Sequence, residues 1–200
     1  MLYNRKRMYY IVALGNPGEE YAKTRHNVGW LVLSAFLWTY NFPSLRLSAQ
    51  YQGLVSEGRM STYDVTVLYP NTFMNASGRA VKKLAIDDLS KLIVLHDDIA
   101  LPLGEIKISV ARGDGGHNGL TSIIKELQSN EFIRVRIGIG ERNFFTREVK
   151  RPSGAKLPKF VLGNFTKKEL VVVDEVAMMV KSALTSIMTE GVEATMNTYN

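Results

Sequence analysis

Residues 92–98 read Leu-Ile-Val-Leu-His-Asp-Asp, four apolar residues followed by three polar ones. An uninterrupted apolar run of this length is typical of a strand that is covered on both faces. Such strands belong to sheets with helices on either side, and ligand clefts form beyond the carboxyl ends of their strands. The stretch therefore predicts an α/β fold, with Asp97 and Asp98 at the edge of the sheet where a site is expected.

Strand-like and helix-like segments alternate along the rest of the chain. The pattern predicts strands at 9–14, 51–56, 65–69, 105–110 and 134–138, and helices at 28–40, 75–84, 119–127 and 167–188. We expect Asn75 to cap the second helix, and Thr166 with Glu169 to form a capping box for the last. This alternation predicts a single-domain, three-layer α/β/α fold with a central twisted mixed sheet.

Two segments fall outside this pattern. Residues 1–8 are basic, and we expect them to form a disordered extension that precedes a domain over 9–200. Residues 141–159 contain Pro152, Gly154 and Pro158 and read as a loop. Because a loop of this length is unusual in a compact domain, we interpret it as a functional flap.

Composition and charge restrict the function classes. The 200 residues are 46% apolar and 22% charged, which is typical of a globular protein. Cysteine is absent, so thiolate nucleophiles and Cys-ligated metal centres are excluded, and a cytoplasmic location is the default. No apolar run approaches the roughly 20 residues of a membrane span. The net charge of +6 favours a polyanionic partner such as nucleic acid, and residues 132–168 concentrate it with 10 basic and 2 acidic residues.

Imidazole chemistry in this chain has to use His26, His96 or His117. His26 and His117 both lie in small polar loops, and either one alone is more often structural than catalytic. Asp97 changes that balance, because a carboxylate can hold an imidazole in one tautomer and make it a general base for water. A metal site built from His26, Asp97 and His117 stays chemically open, although no local ligand spacing supports it.

Other common catalytic patterns are missing or incomplete. The turn at 13–18 imitates a dinucleotide-binding loop, but no acidic residue follows between Glu20 and Glu57 to bind a ribose. The sequence contains no Gly-x-Ser-x-Gly elbow and no phosphate-binding loop with Gly-Lys-Ser/Thr. What remains is a set of loop amides, Asn16, Asn75 and Asn118, which are suited to binding a carbonyl or ribose hydroxyls.

Seven motifs give the chain a resemblance to bacterial-type peptidyl-tRNA hydrolases over residues 9–200. In order they are GNPGEEY at 15–21, TRHNVG at 24–29, PNTFMN at 70–75 with SG at 77–78, HD at 96–97 with LP at 101–102 and Gly104, GGHNGL at 115–120, RIGIG at 136–140 and FVLG at 160–163. Any one of these motifs is weak, but seven in the family's order and spacing are specific.

The resemblance implies a monomeric enzyme, without metal or cofactor, that hydrolyses the ester between a peptide and the 3′ ribose of tRNA. It assigns His26 as the general base and Asp97 as the carboxylate that keeps it basic. It places Asn16 on the peptide side, where it helps to distinguish a blocked from a free α-amine. Contacts with the 3′ end of the tRNA are expected from Tyr21, Phe73, Asn75 and Asn118, with Met74 and His117 lining the cleft.

The family also binds the tRNA 5′ phosphate, next to the acceptor stem, with two basic residues. Arg136 matches one of them, but the second position is Ser109, which carries no charge. We expect Lys107 or Arg112 to compensate, together with the positive charge of 141–159, which matches the family's lid over the cleft. The alternative to an enzyme is a catalytically silent relative that binds RNA or protein on the same fold.

Overall fold

The computed structural model describes residues 7–142, 148–150 and 152–200. Within these ranges, eight strands form one mixed sheet in the order β2-β3-β4-β1-β5-β7-β6, with β8 paired to β7. The strands are β1 (Met8–Ala13), β2 (Arg46–Ser48), β3 (Gly53–Met60), β4 (Tyr63–Pro70), β5 (Leu92–Pro102), β6 (Ile106–Val110), β7 (Ile133–Arg142) and β8 (Val149–Lys150). Strands β4, β1, β5 and β7 run parallel to one another, and β2, β3, β6 and β8 are antiparallel to their neighbours.

Helices cover both faces of this sheet. They are α1 (Val28–Thr39), α2 (Ser77–Lys82), α3 (Asn118–Leu127), α4 (Lys156–Val161), α5 (Lys167–Thr189) and α6 (Val192–Tyr199). One apolar core lies between the sheet and α1 with α5, and a second lies between the sheet and α2 with α3. The predicted three-layer α/β/α class with a central mixed sheet is thereby confirmed. None of the helices in the described ranges is long and apolar enough to cross a membrane.

The covered strand predicted from residues 92–95 is β5, in the middle of the sheet. Leu92, Ile93, Val94 and Leu95 are completely buried, and alternate side chains enter the two opposite cores. The capping box of Thr166 and Glu169 is also present at the start of α5.

A bulge near the end of β5 shapes the edge of the sheet that bears the site. Asp98 pairs with Gly138 and Pro102 pairs with Gly140, so β5 contains two more residues than β7 between these two pairs. A Cβ atom on Gly138 would lie 2.0 Å from the carbonyl oxygen of Pro102. Because such an approach is impossible for a larger residue, the bulge explains why glycine occupies this position.

The structure corrects three local expectations. Asn75 does not cap a helix: Met74–Ala76 form a short 3-10 turn, and α2 begins afterwards without a side-chain cap, because the backbone turns before the helix starts. Residues 141–159 are not one loop, since β7 continues into them and pairs with β8, and α4 begins within them. Met8, assigned to the extension, pairs with Asp64 as the first residue of β1. The predicted disordered extension and the predicted flap also include residues 1–6, 143–147 and 151, which lie outside the described residues.

Candidate active site

A cleft of about 770 Å³ opens at the carboxyl ends of β1 and β5, the edge that residues 92–98 predicted. Ten predicted site residues line it: Asn16, Tyr21, His26, Phe73, Met74, Asn75, Asp97, His117, Asn118 and Arg136. Lys107, which the structure also describes, lies outside this lining. Apolar residues also line the cleft, among them Ile99 in the β5 bulge and Leu157, Val161 and Leu162 of the α4 region.

His26 and Asp97 form a buried pair at the floor of this cleft. The Nδ1 atom of His26 lies 2.6 Å from Oδ1 of Asp97, and only 4% of Asp97 is exposed. Burial raises the pKa of Asp97, but its electrostatic interactions and hydrogen bonds with His26 and His117 outweigh the effect of burial, so the pKa is well below its usual range. The carboxylate is therefore ionised and accepts a hydrogen bond from the Nδ1–H group of His26, which leaves the lone pair of His26 on Nε2.

The basicity of His26 follows from the same contact. Burial lowers the pKa of His26, whereas the charge of Asp97 and its hydrogen bond raise it, and the net effect is a pKa above the ordinary 6.5. Among the described residues, no hydrogen bond engages Nε2, and the imidazole lines the cleft. A neutral imidazole with a free lone pair beside a cleft can accept a proton from water.

A single 3-10 turn, Arg25–Asn27, carries His26 into place directly before α1. The backbone amide of Arg25 donates to the carbonyl oxygen of Gly163, and its guanidinium donates to Asn164 and to Oε1 of Glu169 at 2.8 Å. The same guanidinium lies 4.8 Å from the ring centre of Phe160 in α4. The turn is thus fastened to the segment between α4 and α5, which also forms a wall of the cleft.

His117 contacts the same carboxylate from the start of α3. Its Nδ1 accepts hydrogen bonds from the backbone amides of Gly119 at 3.1 Å and Leu120 at 3.3 Å, so Nδ1 carries no proton. Its proton is therefore on Nε2, which donates to Oδ1 of Asp97 at 2.9 Å. His117 acts as a helix cap and as a second donor to Asp97, two contacts that the sequence did not reveal.

His96 is a further histidine at the site, and its role differs. Its Nδ1 donates to the backbone oxygen of Asp97 at 2.8 Å, and its ring meets that of His117 edge-on with centres 5.0 Å apart. Burial and the neighbouring His117 lower the pKa of His96 to about 3. His96 is therefore neutral at physiological pH and packs against His117. Its position at the end of the covered strand is the one sequence feature that pointed to a place near the site.

Asn16 offers a donor group to the cleft. The backbone amide of Met74 donates to its Oδ1 at 2.8 Å, which fixes the orientation of the side-chain amide. No hydrogen bond within the described residues engages Nδ2, so its two N–H groups are available to a ligand. The bonds that fix the backbone of Asn16 come from Asn27, a residue that sequence reasoning did not select although it follows His26 directly.

The rim of the cleft combines exposed rings and amides. Phe73 is 62% exposed although it is aromatic, and Asn75 and Asn118 are exposed on the neighbouring turns. Met74 is buried beneath them, and its sulfur lies 2.6 Å from the place that a Cβ atom on Gly119 would take. Glycine at this position therefore lets the 3-10 turn approach α3. An exposed ring beside free amides is suited to stacking a base and binding its ribose.

Basic residues lie on the same face of β6 and β7. Lys107 is directly opposite Arg136 in the ladder, so the two side chains project from the same face. The guanidinium of Arg136 pairs with Oδ2 of Asp98 at 2.7 Å, which offsets part of its charge. Ser109 is buried, and its hydroxyl has no hydrogen-bond partner among the described residues. It lies opposite Arg134, whose guanidinium donates hydrogen bonds to the backbone oxygens of residues 112 and 113.

The residues His26, Asp97 and His117 also resemble a metal-ligand cluster, since one ligand atom from each lies within 4.8 Å of the others. These atoms are engaged with one another, however, and both nitrogens of His117 have partners. A metal ion would have to displace the hydrogen bonds to Asp97. The donor set therefore favours proton transfer over metal binding.

Comparisons with known proteins find relatives that match nearly the whole chain. A family model described as peptidyl-tRNA hydrolase matches residues 10–200. A peptidyl-tRNA hydrolase of Thermodesulfovibrio yellowstonii is 38% identical over 198 residues, covering 96% of this chain and 99% of the relative. One from Syntrophotalea carbinolica is 41% identical over 200 residues, covering 96% and 97%. A crystal structure of peptidyl-tRNA hydrolase from Acinetobacter baumannii has a TM-score of 0.85 at 30% identity and covers 97% of this chain and 95% of that one.

Proposed function

The chain belongs to the peptidyl-tRNA hydrolase family and cleaves the ester that joins a peptide to tRNA, and we propose that His26 activates the attacking water with Asp97 as its partner. One observation carries the proposal. The Nδ1–H group of His26 donates a hydrogen bond to a buried, ionised carboxylate at 2.6 Å, and no hydrogen bond from the described residues engages the Nε2 lone pair at the cleft. This arrangement is that of a general base.

The proposed reaction follows from these groups. Nε2 of His26 removes a proton from water as the water oxygen attacks the ester carbonyl carbon. Negative charge develops on the carbonyl oxygen, and the free Nδ2 group of Asn16 donates to it or to the adjacent peptide carbonyl. As the tetrahedral intermediate collapses, the imidazolium returns its proton to the leaving 3′ oxygen of the ribose. The products are a free peptide carboxylate and a tRNA with an intact 3′ hydroxyl.

The rim accommodates the 3′ end of the tRNA in this proposal. Phe73 and Tyr21 stack on bases, while Asn75 and Asn118 bind ribose and base edges. Met74 and His117 shape the floor between them. The support is the exposure of an aromatic ring and of two amides beside the reactive pair, with the apolar lining residues left for the peptide.

The tRNA 5′ phosphate is proposed to bind on the β6–β7 face. Arg136 is partly neutralised by Asp98, and Ser109 is buried, so Lys107 supplies the second positive charge from the position opposite Arg136. The exposed side chain of Arg112 is the other candidate. Replacing Lys107 by Gln should weaken tRNA binding and reduce its salt dependence by about one phosphate contact, whereas Arg112→Gln should do less. Equal salt slopes for wild type and Lys107→Gln would contradict this assignment.

Residues 141–159 are proposed to attract the acceptor stem as well. Lys150 and Lys156 are exposed, and Arg151 lies between them in the sequence. Replacing all three by Gln should flatten the dependence of binding on salt. An unchanged slope would contradict a role for this segment in phosphate attraction.

We also propose that the enzyme acts as a monomer in the cytoplasm. Its substrate is a product of translation, which takes place in the cytoplasm. Sedimentation of the purified protein at micromolar concentration should give a single species of 22.4 kDa. A stable dimer would contradict the proposed state.

The experiment that separates the proposed enzyme from its alternatives uses N-acetyl-aminoacyl-tRNA. Wild-type protein should release the N-acetyl amino acid, and a chelator of zinc and other transition metals should not slow the reaction. Inhibition by the chelator, with recovery on adding metal, would favour a metal-dependent hydrolase. Tight tRNA binding without turnover would favour the catalytically silent relative.

A further inference from the structure

Asn27 is completely buried, yet its polar side chain makes no contact with the substrate cleft. Its Oδ1 accepts a hydrogen bond from the backbone amide of Asn16 at 2.8 Å, and its Nδ2 donates to the backbone oxygen of the same residue at 2.9 Å. One side chain therefore satisfies both backbone groups of one residue, 11 positions away in the sequence. This two-point contact fixes the position and the orientation of the Asn16 peptide.

The side chain of Asn16 is fixed by a third hydrogen bond. The Met74 amide can only donate, so the atom of Asn16 that lies 2.8 Å from it is Oδ1 and the free atom is Nδ2. Asn27 holds the backbone and Met74 holds the side-chain oxygen. Asn16 consequently presents a donor, and no acceptor, to the cleft.

His26 and Asn27 are consecutive residues of one 3-10 turn. His26 points to Asp97, while Asn27 points to the loop after β1 that carries Asn16. A displacement of this turn would therefore move the base and the donor together. Reacting groups must be held in register with each other, because small misplacements lower the rate strongly.

We propose that Asn27 is a positioning residue that sets Asn16 in register with His26, so that one turn holds both the base and the donor that face the substrate. This inference rests on the proposed function, since it assumes that Asn16 donates to the substrate. It predicts that Asn27 contributes to the rate only through Asn16. A merely structural Asn27 would instead contribute to stability alone.

A double-mutant cycle distinguishes these roles. Asn27→Asp keeps the shape of the side chain and the oxygen that accepts from the Asn16 backbone amide. It replaces the donating Nδ2 group by an oxygen that faces the Asn16 backbone oxygen. Single-turnover hydrolysis of N-acetyl-aminoacyl-tRNA should slow about 10²-fold or more in Asn16→Ala, the typical effect of losing one preorganised donor. It should slow at least about tenfold in Asn27→Asp. In the Asn16→Ala background, adding Asn27→Asp should change the rate less than about threefold.

A matched control tests whether lost stability explains the effect. Thr195 is also completely buried and hydrogen-bonded, through Ser186 and the Gly191 carbonyl, but lies in α6 away from the cleft. Thr195→Val should lower the melting temperature and leave the single-turnover rate of the folded protein unchanged. Asn27→Ser, which keeps a smaller polar group, serves if Asn27→Asp does not fold.

The outcomes are separable. Absence of hydrolysis by the wild type would contradict the proposed function itself. If the wild type is active, an Asn27 effect of equal size with and without Asn16 would overturn the inference, as would a lower melting temperature with an unchanged rate. In the wild type, hydrogen exchange of the Asn16 backbone amide should be strongly protected, and exchange at the rate of an unfolded peptide would also overturn it.

Discussion

Replacing Asp97 by Asn changes the charge of the catalytic pair while keeping its shape. An Asn side chain at this position can still present an oxygen to Nδ1 of His26 at 2.6 Å and to Nε2 of His117 at 2.9 Å. The tautomers of both rings are therefore retained. What is lost is the negative charge that stabilises the imidazolium formed when His26 takes a proton from water.

The expected size of the effect follows from this contact. A hydrogen bond to a charged group contributes roughly 1.5–3 kcal/mol, compared with about 1 kcal/mol for a neutral pair. The difference is about 0.5–2 kcal/mol, and each 1.36 kcal/mol is a factor of ten in rate, so replacing the charge-assisted bond by a neutral one should lower kcat/KM by about 2- to 30-fold. The affinity for tRNA should be unchanged, since Asp97 lies beneath the cleft and does not reach the rim.

The pH profile gives a second readout of the same change. The proposed mechanism needs neutral His26, so it predicts that kcat/KM falls on the acid side as His26 becomes protonated. Asp97 raises the pKa of His26 against the effect of burial. In Asp97→Asn, burial is no longer outweighed, and the acid limb should move to lower pH.

The assay is hydrolysis of N-acetyl-aminoacyl-tRNA from about pH 5 to pH 9, the range in which histidine titrates. Asp98→Asn is the matched control, because it removes the neighbouring carboxylate, which pairs with Arg136 and makes no contact with His26. Its acid limb should coincide with that of the wild type. An acid limb of Asp97→Asn that stays in place, or moves to higher pH, would refute the reasoning.

Three further changes test the packing and the rim. Gly78→Ala should destabilise the protein by about 1–3 kcal/mol in urea unfolding, because its Cβ atom would lie 2.2 Å from the backbone oxygen of Ser122; unchanged stability would contradict the close packing of α2 on α3. Phe73→Ala should weaken binding of the tRNA 3′ end by about 1–3 kcal/mol without lowering stability, and equal affinity in a filter-binding assay would exclude base stacking on this ring. Arg25→Met should lower the free energy of unfolding by about 1.5–3 kcal/mol through loss of its bond to Glu169, and an effect below 0.5 kcal/mol, the usual size for surface substitutions, would count against that role.

The parts of the fold that follow local rules were predictable from the sequence. The apolar run at 92–95 indicated a covered central strand, because a strand with helices on both faces of its sheet buries consecutive side chains. The capping box of Thr166 and Glu169 specified where α5 begins. Both signals depend only on residues that are close together in the sequence, so they can be recognised without knowledge of the tertiary structure.

The site could be predicted only in part from the sequence, because the sheet topology brings together residues that are distant along the chain. Asn16, His26 and Asp97 lie after β1, before α1 and in β5, and only the parallel pairing of β1 with β5 brings these segments together. The family motifs anticipated these three residues. Asn27 could not be recognised by pattern, since its partner is the backbone of Asn16 and any residue there has the same backbone groups.

The prediction for Asn75 was wrong for a related reason. A helix-capping residue is inferred from its type and from the residues that follow, but here a 3-10 turn intervenes and leaves the side chain exposed at the cleft. Asparagine favours turns as well as helix caps. In this chain Asn75 lies in a turn, and its side-chain amide is at the rim of the cleft.

The central claim is that His26 activates water, and single-turnover hydrolysis by His26→Ala tests it most directly. The substrate is N-acetyl-aminoacyl-tRNA at saturating enzyme, and binding is measured separately with an analogue in which an amide replaces the ester. The rate should fall about 10²- to 10⁴-fold, the usual contribution of a general base, while the affinity for the analogue stays within about threefold of the wild type. A hydrolysis rate close to that of the wild type, with binding intact, would contradict the assignment of His26 as the base.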